Sequence, residues 1–266
     1  MLKTNVLKNN NLDPLEISVH GHGGSFTVNK FGEGEATTAF RTIYTNMSNA
    51  DFPYKIDENE KMEISSTSGS DTGQKIRVSY VEYVDGDWIY KEGIAITNGT
   101  TAVQVDEVDE DDVVVGDANI MIPYRLRNDG LAVSPVSLSG GLVGEITLET
   151  LDGAGDTYLK IVNGNNSSKA CVYPIATGFT GQIFGIGRYS SDKTKVATFH
   201  YTAIPYGKPR RVERIVTLTE DSKFETFPVP YTFPEKTILE VQGKLSVAGD
   251  TIGAYWDMTV IPTSQL

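Results

Sequence analysis

The sequence predicts an all-β protein, an antiparallel β-sandwich of jelly-roll type with an N-terminal arm. Three observations carry this prediction. Apolar and polar residues alternate with a period of two, turn dipeptides recur at short spacing, and helical periodicity is almost absent. With 266 residues the chain can bury a substantial core, in one large β domain or two smaller ones.

The alternation is clearest over residues 61–65, 75–84, 88–96, 144–149, 157–162, 195–202, 211–218, 238–245 and 254–261. These segments are rich in β-branched and aromatic side chains, which suit a pleated, half-buried surface. Between them stand Asp85-Gly86-Asp87, Asn98-Gly99-Thr100, Asp152-Gly153-Ala154-Gly155-Asp156, Asn163-Gly164-Asn165-Asn166 and Ala248-Gly249-Asp250. Asp-Gly and Asn-Gly tolerate the positive φ of tight turns, so antiparallel hairpins are expected there. Helical turns are expected only around residues 37–44 and in the acidic stretch after Asp106. Residues 1–57 read differently. Asn-rich at first and carrying Gly21, Gly23, Gly24, Gly32 and Gly34, they are expected to form an arm with a few edge strands that docks on a neighbour. Residues 58–266 then form the sandwich region, single or split near 133–143 into two closely packed sandwiches.

Charge and cysteine content narrow the function. A formal net charge of -12 repels nucleic-acid phosphates and anionic membranes, so neither is an expected partner. The one basic cluster, Lys208-Pro209-Arg210-Arg211-Val212-Glu213-Arg214, is short and interrupted by an acid, and reads as a partner-facing or salt-bridged strand. Cys171 is the only cysteine, which excludes an intrachain disulfide and a cysteine zinc site and fits a reducing cytoplasm. No signal-peptide pattern and no run of roughly 20 apolar residues is present, so a soluble protein is expected.

Several clusters invite a chemical reading and lack the context for it. His20 and His22 share one face if extended, as a metal pair would, but His200 is the only other histidine. The acidic run Asp106-Glu107-Val108-Asp109-Glu110-Asp111-Asp112 is dense enough to attract Ca²⁺ yet lacks the alternating spacing and closing Glu of a calcium loop. Asp152-Gly153-Ala154-Gly155-Asp156 is a hairpin turn, since no strand-to-helix pattern surrounds it. Ser139-Gly140-Gly141 and the serines of 65–70 carry no nucleophile-elbow signature. No catalytic residue, metal or cofactor is therefore expected. The remaining candidates are aromatic: Tyr80, Trp88, Tyr90, Tyr206, Tyr255 and Trp256 are possible contacts for a partner or a glycan, although alternation turns about half of such residues inward.

The order of several segments resembles a group of structural proteins of tailed phages, common in marine and cyanobacterial ones. Met62-Glu63-Ile64-Ser65-Ser66-Thr67-Ser68-Gly69-Ser70-Asp71-Thr72-Gly73 precedes a strand, Ile76-Arg77-Val78-Ser79-Tyr80-Val81. A second strand then ends in Thr97-Asn98-Gly99-Thr100-Thr101-Ala102-Val103. Gly144-Glu145-Ile146-Thr147-Leu148 is similar to the group's Gly-x-Ile strand, and residues 161–175 to its glycine-polar hairpin, with Pro174 and Gly178 set slightly apart from the compact form. Phe233-Pro234-Glu235-Lys236-Thr237-Ile238 before the last two strands also fits. The match spans roughly residues 60 to 262. It implies an all-β virion protein, assembled in the host cytoplasm, that docks on capsid or tail proteins and supplies no catalytic residues. Homo-oligomers are expected, with cyclic, for instance threefold, symmetry. A host-glycan-binding module and a virion-bound depolymerase are the rival readings. The first needs an exposed aromatic platform, and the second needs acids facing each other across a groove.

Overall fold

The structure, a computed structural model, describes residues 25–47, 49–54, 56, 58–132, 142–151, 156–192 and 194–265. Its strands in chain order are β1 (Phe26–Glu35), β2 (Arg41–Thr42), β3 (Met62–Ser66), β4 (Thr72–Val84), β5 (Asp87–Asn98), β6 (Val103–Gln104), β7 (Asp106–Val108), β8 (Val114–Asp117) and β9 (Ile122–Leu131). There follow β10 (Ile146–Thr150), β11 (Thr157–Ile161), β12 (Val172–Ile175), β13 (Phe179–Ser190), β14 (Ala197–Pro205), β15 (Arg211–Leu218), β16 (Ser222–Phe233), β17 (Thr237–Leu245) and β18 (Thr251–Pro262). Among the described residues the only helix is a 3₁₀ turn at Thr263–Gln265. The fold is an all-β sandwich, and every strand pair is antiparallel, as the alternation predicts.

Four sheets divide by sequence into two groups. Residues 62–161 supply the order β11-β10-β3-β6 and the order β8-β7-β5-β4-β9. The remaining strands supply β1-β18-β13-β16 and β12-β17-β14-β15, with β2 also on β17. Sheet membership thus changes between Ile161 and Val172, whereas 133–143 lies between two strands of the first group. One continuous apolar core runs through all four sheets, from Met62, Ile64, Ile146 and Leu148 to Phe199, Val241, Trp256 and Met258.

The pairing of the early strands explains the glycines of the N-terminal region. β1 pairs along all ten residues with β18, from Phe26 opposite Val260 to Glu35 opposite Thr251. A Cβ on Gly32 would stand 2.4 Å from the Cys171 amide nitrogen, and one on Gly34 would stand 2.2 Å from the Tyr44 carbonyl oxygen. Those two glycines therefore let the chain at 43–44 lie directly across β1, a close approach that any side chain would block. Val28, Ala36, Ile43, Tyr44, Met47 and Phe52 all enter the core. Residues 26–54, which the sequence placed in the arm, are in this way built into the sandwich, and residues 1–24 lie outside the described set.

Turn chemistry behaves as expected where strands are adjacent. Asp85 and Gly86 both take positive φ, 51° and 96°, which makes the two-residue turn joining β4 to β5. Ala248-Gly249-Asp250 does something else. Gly249 has φ 101°, but β17 and β18 belong to different sheets, so the turn arches between layers. Neither expected helical turn forms. Residues 41–42 pair with β17, Ile43 donates its amide to the Val241 carbonyl at 2.8 Å, and the acidic stretch becomes β7, a turn and β8. Long-range ladder bonds outweigh weak local helical preference in both places.

Candidate functional site

Four of the six aromatic candidates are interior. Tyr80, Trp88 and Trp256 are at most 1% exposed and Tyr90 is 7% exposed, so none of them offers a surface contact. Trp88 and Tyr90 belong to the β4–β5 hairpin, which packs on the chain's own second group of strands. The Tyr90 hydroxyl donates to the Pro174 carbonyl at 2.9 Å, and Trp88 exchanges hydrogen bonds with Thr177 through its backbone. Tyr90, Tyr124, Tyr173 and Phe179 form a seam of rings with centroids 5.3 to 6.1 Å apart. Trp88→Ala is expected to destabilise the fold by about 3–5 kcal/mol, read as a lower midpoint in urea, because a large buried ring leaves a cavity at this seam.

Tyr255, by contrast, stands on an open sheet face. Phe31, Tyr255, Gly187 and Phe224 lie directly opposite one another across β1, β18, β13 and β16. The Tyr255 ring covers Gly187, where a Cβ would come within 2.1 Å of it, and the Phe224 and Tyr255 rings lie within 11° of parallel at 5.6 Å. One row further along, Tyr189 stacks at 6.2 Å on Phe31 and donates to Glu33, and Lys169 pairs with Glu33 at 3.0 Å. On the other side Asn29 donates to Asp257 at 2.9 Å, and burial raises the Asp257 carboxyl above the usual range. The result is an aromatic floor with polar rims. Phe31, Tyr189 and Phe224 escape sequence reading because an outward aromatic over a cross-strand glycine leaves no local signal. Tyr206, the sixth candidate, is 39% exposed and meets Trp88 edge-on at 6.1 Å.

Apolar residues are also exposed along strand edges. On and just before β8, the edge strand of its sheet, Val113, Val114 and Val115 are 50–59% exposed, within an unbroken exposed stretch at 109–117 that holds five acids and no base. On β15, another edge, Val212 and Ile215 are exposed beside the basic cluster. Arg210 pairs with the buried Glu240 at 2.5 Å, Arg211 with Glu213 at 3.2 Å and Arg214 with Glu225, so this is a salt-bridged strand. β16 forms the third apolar edge and bears Val229, the most exposed of the large hydrophobic side chains.

The acidic run is partly consumed by structure. The Arg77 guanidinium is buried and contacts Glu92 at 2.9 Å, Asp112 at 2.8 Å and Asp129 at 2.8 Å. Burial alone would raise the Asp112 carboxyl, but hydrogen bonds from Arg77 and Lys75 hold it well below the usual carboxylate range. Burial raises Glu92 despite the same arginine. Asp109 caps its own turn, accepting the amides of Asp111 and Val113 at 2.9 Å. No group of three or more His, Cys, Asp or Glu among the described residues is placed to hold a metal ion. His20 and His22 fall outside that set, and His200 stacks on Phe40 at 3.7 Å. An open cleft of about 380 Å³ is lined by Glu60, Lys61, Thr150 and Leu151. Its single carboxylate, Glu60, accepts a bond from the Tyr158 hydroxyl at 2.7 Å and faces no second acid in that lining.

No family model and no curated relative matches this chain. Among solved structures, a chain from the structure of infectious bursal disease virus Gx strain is similar over 91% of this chain and 72% of its own length. The identity is 10% and the TM-score 0.22, too low for the likeness to bear on function.

Proposed function

We propose that this chain is a non-catalytic structural component of a tailed-phage particle, assembled in the host cytoplasm and docking on capsid or tail proteins. The observation that carries the reading is where the apolar surface lies. Exposed valines, isoleucine and aromatics stand on three strand edges and one open sheet face, which are surfaces for protein contact, while the described cleft offers a single, hydrogen-bonded carboxylate. The ordered resemblance over residues 60–262 points the same way. A capsid decoration protein and a collar, tail or fibre attachment protein both use such surfaces. In this reading the partners are virion proteins and further copies of the chain, not nucleic acid or membrane. Peptide mass spectrometry of gradient-purified particles from cells carrying the encoding genome tests it. The chain is expected in stoichiometric amounts, and its absence from the particles would contradict the proposal.

A second reading, host-glycan binding, is favoured by the floor of Phe31, Tyr255 and Phe224 with Asn29, Asp257 and Glu33 at its rims. Aromatic faces stack on the apolar faces of sugars while polar rims hydrogen-bond their hydroxyls. In a titration with host lipopolysaccharide it expects saturable binding that Tyr255→Ala weakens at least about tenfold. No binding by the wild-type chain removes this reading.

A further inference from the structure

Two charged, exposed edges of opposite sign belong to different halves of the fold. Residues 109–117 carry Asp109, Glu110, Asp111, Asp112 and Asp117 around Val113, Val114 and Val115, all exposed. Asp112 and Asp117 have Lys75, Arg77 and Lys61 as partners, while Glu110 and Asp111 meet no cation among the described residues. Residues 206–215 carry Lys208, Arg210, Arg211 and Arg214, with Tyr206, Val212 and Ile215 exposed among them; Arg210, Arg211 and Arg214 pair with Glu240, Glu213 and Glu225, and the segment itself holds four bases and one acid. Each edge sets β-branched apolar side chains among side chains mainly of one charge, acidic at 109–117 and basic at 206–215.

We infer that these edges are the two sides of one contact between copies of this chain, β8 of one copy against β15 of the next. The inference rests on the assembly reading and names the surface that self-association uses. Charge decides the pairing. Two β8 edges brought together would oppose five acids to five, and two β15 edges would oppose their basic rims, so symmetrical contacts are repulsive. Opposed to each other, the rims attract and the valines cover Val212 and Ile215, removing apolar surface from water on both sides. The contact is made by side chains, because a register break between Val114 and Gly116 bulges Val115 out of the β8 ladder and does not favour strand addition. A contact between two different patches is head-to-tail, so it closes into a ring or runs on as a filament.

Sedimentation velocity on the full chain tests this. At low ionic strength the wild type is expected to associate with increasing concentration, and at about 0.5 M salt the apparent affinity should fall by about tenfold as the rims are screened. Glu110→Lys with Asp111→Lys in one variant, and Lys208→Glu with Arg211→Glu in another, should each weaken association at least about tenfold. All four side chains are exposed, and circular dichroism confirms that each variant is folded. Mixing the two variants should restore association, since each then presents both of its rims to opposite charge. A wild type that stays monomeric throughout, or variants that associate as the wild type does, would overturn the inference. Particle incorporation, followed separately, distinguishes the two levels. A monomeric chain found in particles sinks only this contact, and a self-associating chain absent from particles sinks only the assembly reading.

Discussion

Deleting residues 1–57 is expected to abolish cooperative unfolding altogether. The sequence alone suggests the opposite, a detachable arm whose loss spares the sandwich and costs only docking. The deletion removes β1, the partner of β18 along ten residues, and exposes the inner faces that Val28, Ile43, Tyr44, Met47 and Phe52 cover. Truncating one large buried apolar side chain costs about 2–5 kcal/mol, so losing five together costs about 10–25 kcal/mol, as much as or more than the roughly 5–15 kcal/mol that holds a typical domain folded. The same deletion strips Glu240, 1% exposed, of Thr42 and Tyr54, whose hydroxyls both donate to its carboxylate. Deleting residues 1–24 removes none of these pairs and serves as the comparison. Thermal melts followed by circular dichroism separate the cases. A sharp transition in the 1–57 deletion would show that the pairing of β1 is dispensable.

Arg77→Met is expected to cost about 3–5 kcal/mol, because it leaves Glu92 ionised and buried without its counter-charge. Arg77 contacts all three of Glu92, Asp112 and Asp129, and Glu92 also accepts a bond from the Ser79 hydroxyl at 2.9 Å. The pH dependence adds a second readout. Asp112 has a folded pKa below its unfolded value, so its contribution is present above the unfolded pKa and is lost as pH falls through the folded one. Removing Arg77 removes that contribution, and protonation relieves the burial of Glu92. The deficit of the variant should therefore be largest near neutral pH and shrink as pH falls through the carboxylate range. Urea titrations at several pH values measure it, and a deficit independent of pH would argue that Arg77 acts by packing alone.

All nine segments with period-two alternation become strands, from residues 61–65 in β3 to 254–261 in β18. Among the long strands after residue 58, three fall outside those segments. β9 contains Pro123 and the turn-like Asp129-Gly130, β13 contains Gly181, Gly185 and Gly187, and β16 contains Pro228 and Pro230. Each reads locally as interrupted, and each is completed by its neighbours. The glycines of β13 make room for Tyr255 and Phe224 from adjacent strands, and β16 bulges through its prolines where pairing breaks between Ile183 and Gly185. The site was legible in residue type and misplaced in direction. Tyr80, Trp88, Tyr90 and Trp256 look like a binding surface because large aromatics serve cores and interfaces alike, and only the packing of sheets distant in sequence makes them core. The edges at 109–117 and 206–215 are visible as charge runs, but their complementarity depends on both being exposed on separate halves of the fold.

A reconstruction of the native particle at side-chain resolution bears most directly on what this molecule is for. Density for the chain should show residues 109–117 of one copy covered by residues 206–215 of another, and β16 or the face bearing Tyr255 against a different virion protein. Particles without such density, or with these edges and that face turned to solvent, would contradict a role in assembly.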